Sequence, residues 1–175
     1  MSLSLWTSVS SAVSRFLMLL EVSVQYLSIV YRLLISFWVG GAALFTFMLT
    51  PTLFKSFDRD MAGTIVGVLF PGYFKTGLIC GVLALGCLLF TRENRWLSSA
   101  LIIVAMLLVT SLQAFVIEPK AAALKKDIPS FVTTPKDHPA RQQFRKLHGI
   151  SAVSNLGVIG GGIALLILLY KRNTM

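Results

Sequence analysis

The chain has 175 residues, 55% of them hydrophobic and 13% charged, a balance that excludes an ordinary soluble domain and calls for a bilayer as solvent. Its formal charge of +9 comes from Lys and Arg set between and beside apolar blocks, which points to anionic lipid headgroups as partners and away from nucleic acid. Seven acidic residues leave little for paired carboxylates, and no GxSxG, Walker or HExxH motif occurs, so no enzyme activity is expected.

Residues 1–24 are Ser-rich, with Arg15 and Glu21 their only charges. They lack the positive start and cleavage site of a secretory signal, and read as an N-terminal interfacial amphipathic helix with Leu3, Trp6, Val9, Val13, Phe16, Leu17 and Leu20 on its apolar side. Residues 25–175 then read as an all-α, four-helix transmembrane bundle. Its spans, about 26–51, 73–90, 96–117 and 149–170, approach or exceed the roughly 20 apolar residues that a bilayer core requires.

Between the first two spans, Asp58 can cap a helix over 59–70, and Pro71-Gly72 then bends the chain into the second span. The four residues 92–95 force the second and third spans to be antiparallel neighbours. After Glu118-Pro119 the run of Ala121, Ala122, Ala123, Leu124, Lys125 and Lys126 keeps helical propensity, so the third helix projects beyond the lipid. Pro139 suits the first turn of the fourth helix, which carries Arg141, Arg145 and His148 toward the membrane. Helices 3 and 4 thus extend beyond the bilayer as a basic hairpin. Ten of the sixteen Lys and Arg residues fall on the side of that hairpin, which places the long loop in the cytoplasm and both termini outside a bacterial-type cell membrane.

Small residues mark the packing faces: Gly77 and Gly81 on the second span, Gly157 and Gly161 on the fourth, with helix kinks at Pro71 and Pro119. Such spacing also suits a homo-oligomer. Cys80 and Cys87 share the small-residue face and have no ligand spacing around them, so neither metal nor cofactor is expected. Ionisable and strongly polar groups at lipid depth are costly and become candidate site residues: Glu118, His148, Asn155, Lys75 and Arg145. A polar latch from Glu118 to His148 or Arg145 would sit where the third and fourth helices cross the surface, and Asn155, deeper, needs an interhelical hydrogen bond.

Trp38-Val39-Gly40-Gly41, Phe45-Thr46-Phe47, Leu69-Phe70-Pro71-Gly72-Tyr73-Phe74, Ile117-Glu118-Pro119-Lys120 and His148-Gly149-Ile150-Ser151 with Ser154-Asn155-Leu156-Gly157 together resemble the transmembrane protein 205 family and its bacterial relatives. The likeness covers residues 29–166 and leaves the N-terminal segment unmatched. It implies a four-span multi-pass protein from a family whose biochemistry is largely uncharacterised and whose animal members are associated with resistance to platinum drugs. Two functions lead from the sequence: binding or passing a small cation or amphiphile through the bundle around Glu118, His148 and Asn155, or a structural or partner-binding role in a homo-oligomer or complex, with no transport. A redox role with a cofactor at His148 is the weakest, since one histidine gives one axial ligand.

Overall fold

The computed structural model describes residues 2–92 and 95–172, with side chains described for 13–92 and 95–170. Four rods make up the fold, and no strand occurs among the described residues. The first comprises α1 (Ser2–Ala43), a π-turn (Leu44–Leu49) and α2 (Thr50–Ser56). The second is α3 (Arg59–Thr91). The third comprises α4 (Trp96–Leu112), a π-turn (Gln113–Ile117) and α5 (Glu118–Lys126), and the fourth is α6 (Pro139–Arg172). All four are long and apolar enough to cross a membrane.

Each start and stop has a local cause. The Asp58 carboxylate accepts the Met61 N–H at 2.8 Å, satisfying one of the orphan donors that open α3. Between α3 and α4 the backbone turns through left-handed conformations at Arg92 (φ 41°) and Arg95 (φ 62°), and the Arg92 guanidinium lies 5.9 Å from the centre of the Trp96 ring, a cation–π contact that steadies the reversal. Pro139 opens α6, where its missing N–H costs nothing.

Helix continuity departs from expectation in two places. The interfacial helix expected over residues 1–24 is not set off from the first span, because α1 runs through residue 24 without a break. No Pro or Gly stands before Gly40 to stop it. The side chains from Val13 to Val24 are all exposed and touch none of the bundle's core; Leu3, Trp6 and Val9 lie outside the described side chains. The helix over 59–70 and the second span, expected as separate pieces, are one helix of 33 residues with Pro71 inside it. At ~1.5 Å per residue such a helix is about 50 Å long, well beyond the ~30 Å hydrocarbon core.

Two prolines explain the π-turns. Pro51 and Pro119 each follow the residue that closes a π-turn, Thr50 for the first and Glu118 for the second. A proline ring collides with the carbonyl one turn earlier and offers it no N–H. Widening the turn relieves both: the Thr50 N–H bonds back to the Phe45 carbonyl and the Glu118 N–H to the Gln113 carbonyl, each five residues back instead of four.

The rods pack in a ring, α1 beside α3, α3 beside α4, α4 beside α6 and α6 beside α1, with Tyr31, Ile35, Trp38, Ile103 and Leu165 in the centre. Close approach is bought by glycine. A methyl group on Gly77 would come within 2.6 Å of Trp38 Nε1, and one on Gly81 within 2.6 Å of both Trp38 and Leu107. On α6 a methyl group at Gly161 would meet Met106 at 3.0 Å, and one at Gly162 would strike Val39. Gly157, expected on the packing face, instead meets open space. The buried stripe of α6 runs through Val158, Gly162 and Leu165, and Gly157 lies to one side of it.

Candidate functional site

Helices α2, α3, α5 and α6 surround a hollow at one end of the bundle. Gly63 and Gly67 on α3 face Ala121 and Ala122 on α5; with four small residues opposed, the helix surfaces cannot fill the space between them. The cavity measures about 600 Å³. Its walls are mostly apolar, with Glu118, His148 and Ser151 toward the bundle and Arg59 and Lys125 toward the loop.

A loop at 127–138 covers the outer end. Its Phe131 side chain lines the cavity and packs on Phe144 with ring centres 4.9 Å apart. The Asp60 carboxylate holds this loop down: it accepts the Ser130 hydroxyl at 2.5 Å and the Phe131 N–H at 2.6 Å. Lys125 Nζ donates to Thr64 Oγ1 at 3.1 Å, which sets Thr64 at the depth of Lys125. Asp60, one turn further along, lies outside the span of about 73–90 expected from the sequence. The Ser130 hydroxyl first, then the Phe131 N–H and the nearby Lys125 and Arg141 charges, hold its carboxyl below the ordinary value of 3.8.

Glu118 and His148 both line the cavity, yet the latch expected between them does not form. Glu118 Oε2 is buried with no hydrogen-bond partner among the described residues, while the His148 ring lies parallel to that of Phe144, 4° between planes at 6.3 Å. Arg145, the alternative partner, is exposed and does not line the cavity. Lys75 stands elsewhere, in a second hollow on the outer face between α3 and the third rod.

Deeper in the bundle a polar girdle joins all four rods. Asn155 Oδ1 accepts the Tyr73 hydroxyl and Asn155 Nδ2 donates to Thr46 Oγ1, so one amide ties α6 to α3 and to the first rod. One turn away, Ser151 Oγ donates to Gln113 Oε1 at 3.0 Å, tying α6 to the third rod. Thr46 and Gln113 are both on π-turns. The Tyr73 ring stacks on Phe45 with centres 4.7 Å apart, which orients its hydroxyl.

Sequence reasoning passed over Gln113, although its signal was present: an amide within an apolar run carries the same cost that singled out Asn155. It is 1% exposed and its Nε2 has no partner among the described residues. Thr46 and Tyr73 gave less warning, since a hydroxyl near a span end is ordinary. No group of three or more His, Cys, Asp or Glu side chains suited to a metal ion occurs among the described residues.

A family model described as "Domain of unknown function (DUF4149)" matches residues 33–130. That stretch holds Thr46, Tyr73, Gln113 and Glu118, and stops before His148 and Asn155. An "Uncharacterized protein" of Aquifex aeolicus (strain VF5) is 36% identical over 141 residues, covering 79% of this chain and 94% of its own length. No solved structure matches the chain.

Proposed function

Because the chain belongs to the family described as Domain of unknown function (DUF4149), whose description names no chemistry, we propose a role from the site itself: a non-enzymatic, multi-pass membrane protein that binds and passes a small amphiphile. The observation that supports it is the cavity of about 600 Å³, within the ~300–1,000 Å³ of small-molecule sites. Apolar walls suit an apolar body, while Arg59 and Lys125 at the outer end suit a polar head of negative charge. A small cation fits less well, since Glu118 is the sole carboxylate on the lining among the described residues. The finer kinship with the transmembrane protein 205 family belongs to this proposal, as do a bacterial-type cell membrane, a cytoplasmic long loop and anionic headgroups against the basic stem.

The girdle favours a different role for Asn155. Its amide is used at both ends in joining three rods, so it locks the bundle and leaves Glu118 and His148 to serve the cavity. Titrating a dansyl-labelled fatty acid into reconstituted protein tests the reading. Saturable emission is expected, and Glu118→Gln should change the affinity while the yield of folded protein stays nearly constant. If Glu118→Gln instead lowers that yield and leaves binding per folded molecule unaltered, Glu118 is a structural residue and the purely structural role prevails.

A further inference from the structure

The second hollow, about 590 Å³, opens on the outer face between α3 and the third rod. Ile79 and Phe115 border it and are 50% and 72% exposed, as side chains facing lipid are. Pro71 and Pro119 stand on its two sides and Lys75 at its edge. It is not independent of the inner cavity: Phe74, Glu118 and Ala122 line both. Three side chains are therefore shared by the lipid-facing crevice and the inner cavity, and they form the wall between the two.

That wall is thin for reasons in the sequence. Ala122 contributes a single methyl group where a larger residue would close the gap. Phe74, 3% exposed, presents a flat ring stacked on Phe70 at 5.4 Å, and a ring moves aside by rotation about its side-chain bonds without unfolding a helix. Pro71 has no N–H for the Gly67 carbonyl, so α3 lacks one backbone tie beside the wall. The outer end of the cavity is held differently, by two hydrogen bonds to Asp60 and by the Phe131–Phe144 contact.

We propose that the crevice is a lateral portal through which a single-chain amphiphile dissolved in the bilayer enters the cavity, with Phe74 as its gate and Ala122 as its sill. This rests on the amphiphile-binding reading above. The apolar chain passes the wall; the head, a carboxylate or phosphate, meets Lys75 outside and Lys125 and Arg59 within. Water need not be crossed at any stage, which removes the cost of exposing the apolar chain to water that a loop-side entrance would impose.

The test uses the whole chain in phosphatidylcholine vesicles with a doxyl-labelled stearic acid as probe and a Phe144→Trp variant, whose indole would line the cavity, as reporter; quenching in the chain without that substitution is subtracted. Adding Ala122→Phe, a change at an exposed position, should slow the onset of quenching by about tenfold, equivalent to ~1.4 kcal/mol of barrier. Adding Asp60→Asn, which loosens the loop at a residue outside the cavity lining, should leave the onset as it was. An onset indifferent to Ala122→Phe overturns the portal, and one that Asp60→Asn also hastens marks the cavity as a site filled from the loop side. An indole that no concentration of probe quenches in any variant overturns the binding reading itself.

Discussion

Replacing Asn155 by Ala removes both hydrogen bonds by which α6 holds Tyr73 and Thr46. Interhelical hydrogen bonds in membranes average about 0.6 kcal/mol by double-mutant cycle, with a ceiling near 1.7. Two of them give about 1.2 kcal/mol. Truncation also strands the Tyr73 and Thr46 hydroxyls in a part-buried setting, and the cost of orphaned polar groups raises the total to about 2 kcal/mol. Denaturation in mixed micelles, followed by helical circular dichroism, measures this as a lowered midpoint. Pairing Asn155→Ala with Tyr73→Phe, and separately with Thr46→Val, should give coupling energies of about 0.6 kcal/mol each. A loss for Asn155→Ala below about 0.3 kcal/mol, within the scatter of unrelated surface changes, with no coupling to either partner, would refute the girdle as a structural lock.

Gly162→Leu should destabilise the bundle by about 1–3 kcal/mol through overpacking against Val39, and Val39→Ala should restore part of that loss; Gly157→Leu should be nearly neutral, since open space lies above it. Equal effects from the two glycine substitutions would be incompatible with the packing face described. The Asp60 clasp should depend on pH in one direction. Its carboxyl titrates below 3.8 in the folded protein, so its contribution is present above that value and is lost as the pH falls through the lower folded one. Limited proteolysis at 127–138 should accelerate only in that acidic range, whereas Asp60→Asn should accelerate it at every pH; cleavage of the parent chain that rises above neutrality would run against the clasp.

Much of the scaffold could be read from residues whose physics is local. Asp58 needs only its own helix to act as a cap, Pro139 only its own first turn, and the basic residues from Lys120 to Lys126 signal departure from lipid wherever the rest of the chain lies. What could not be read depends on neighbours. Gly157 and Gly162 are alike in composition and differ only in which faces Val39, and small residues are so common in membrane helices that spacing alone does not choose between them. The Glu118 latch failed for a similar reason: the ionisable groups were identified by cost, but their directions follow from a widened turn that no hydrophobic pattern announces. Asn155 was legible as a group needing a partner, and its partners, on α3 and the first rod, were not.

The two π-turns have a consequence for how such a sequence tolerates insertion and deletion. A widened turn holds one residue more than the α-helical path requires, so everything beyond it is swung by about 100° around the axis. The aim of Glu118 and Lys125 at the cavity is thus set by residue count within Gln113–Ile117, and deleting one of those residues would re-aim α5 while leaving the hydropathy of the rod almost untouched. A helical wheel drawn at constant pitch from Trp96 to Lys126 misplaces both side chains, and an alignment that shifts a gap by a few positions across this turn would pair residues pointing in different directions.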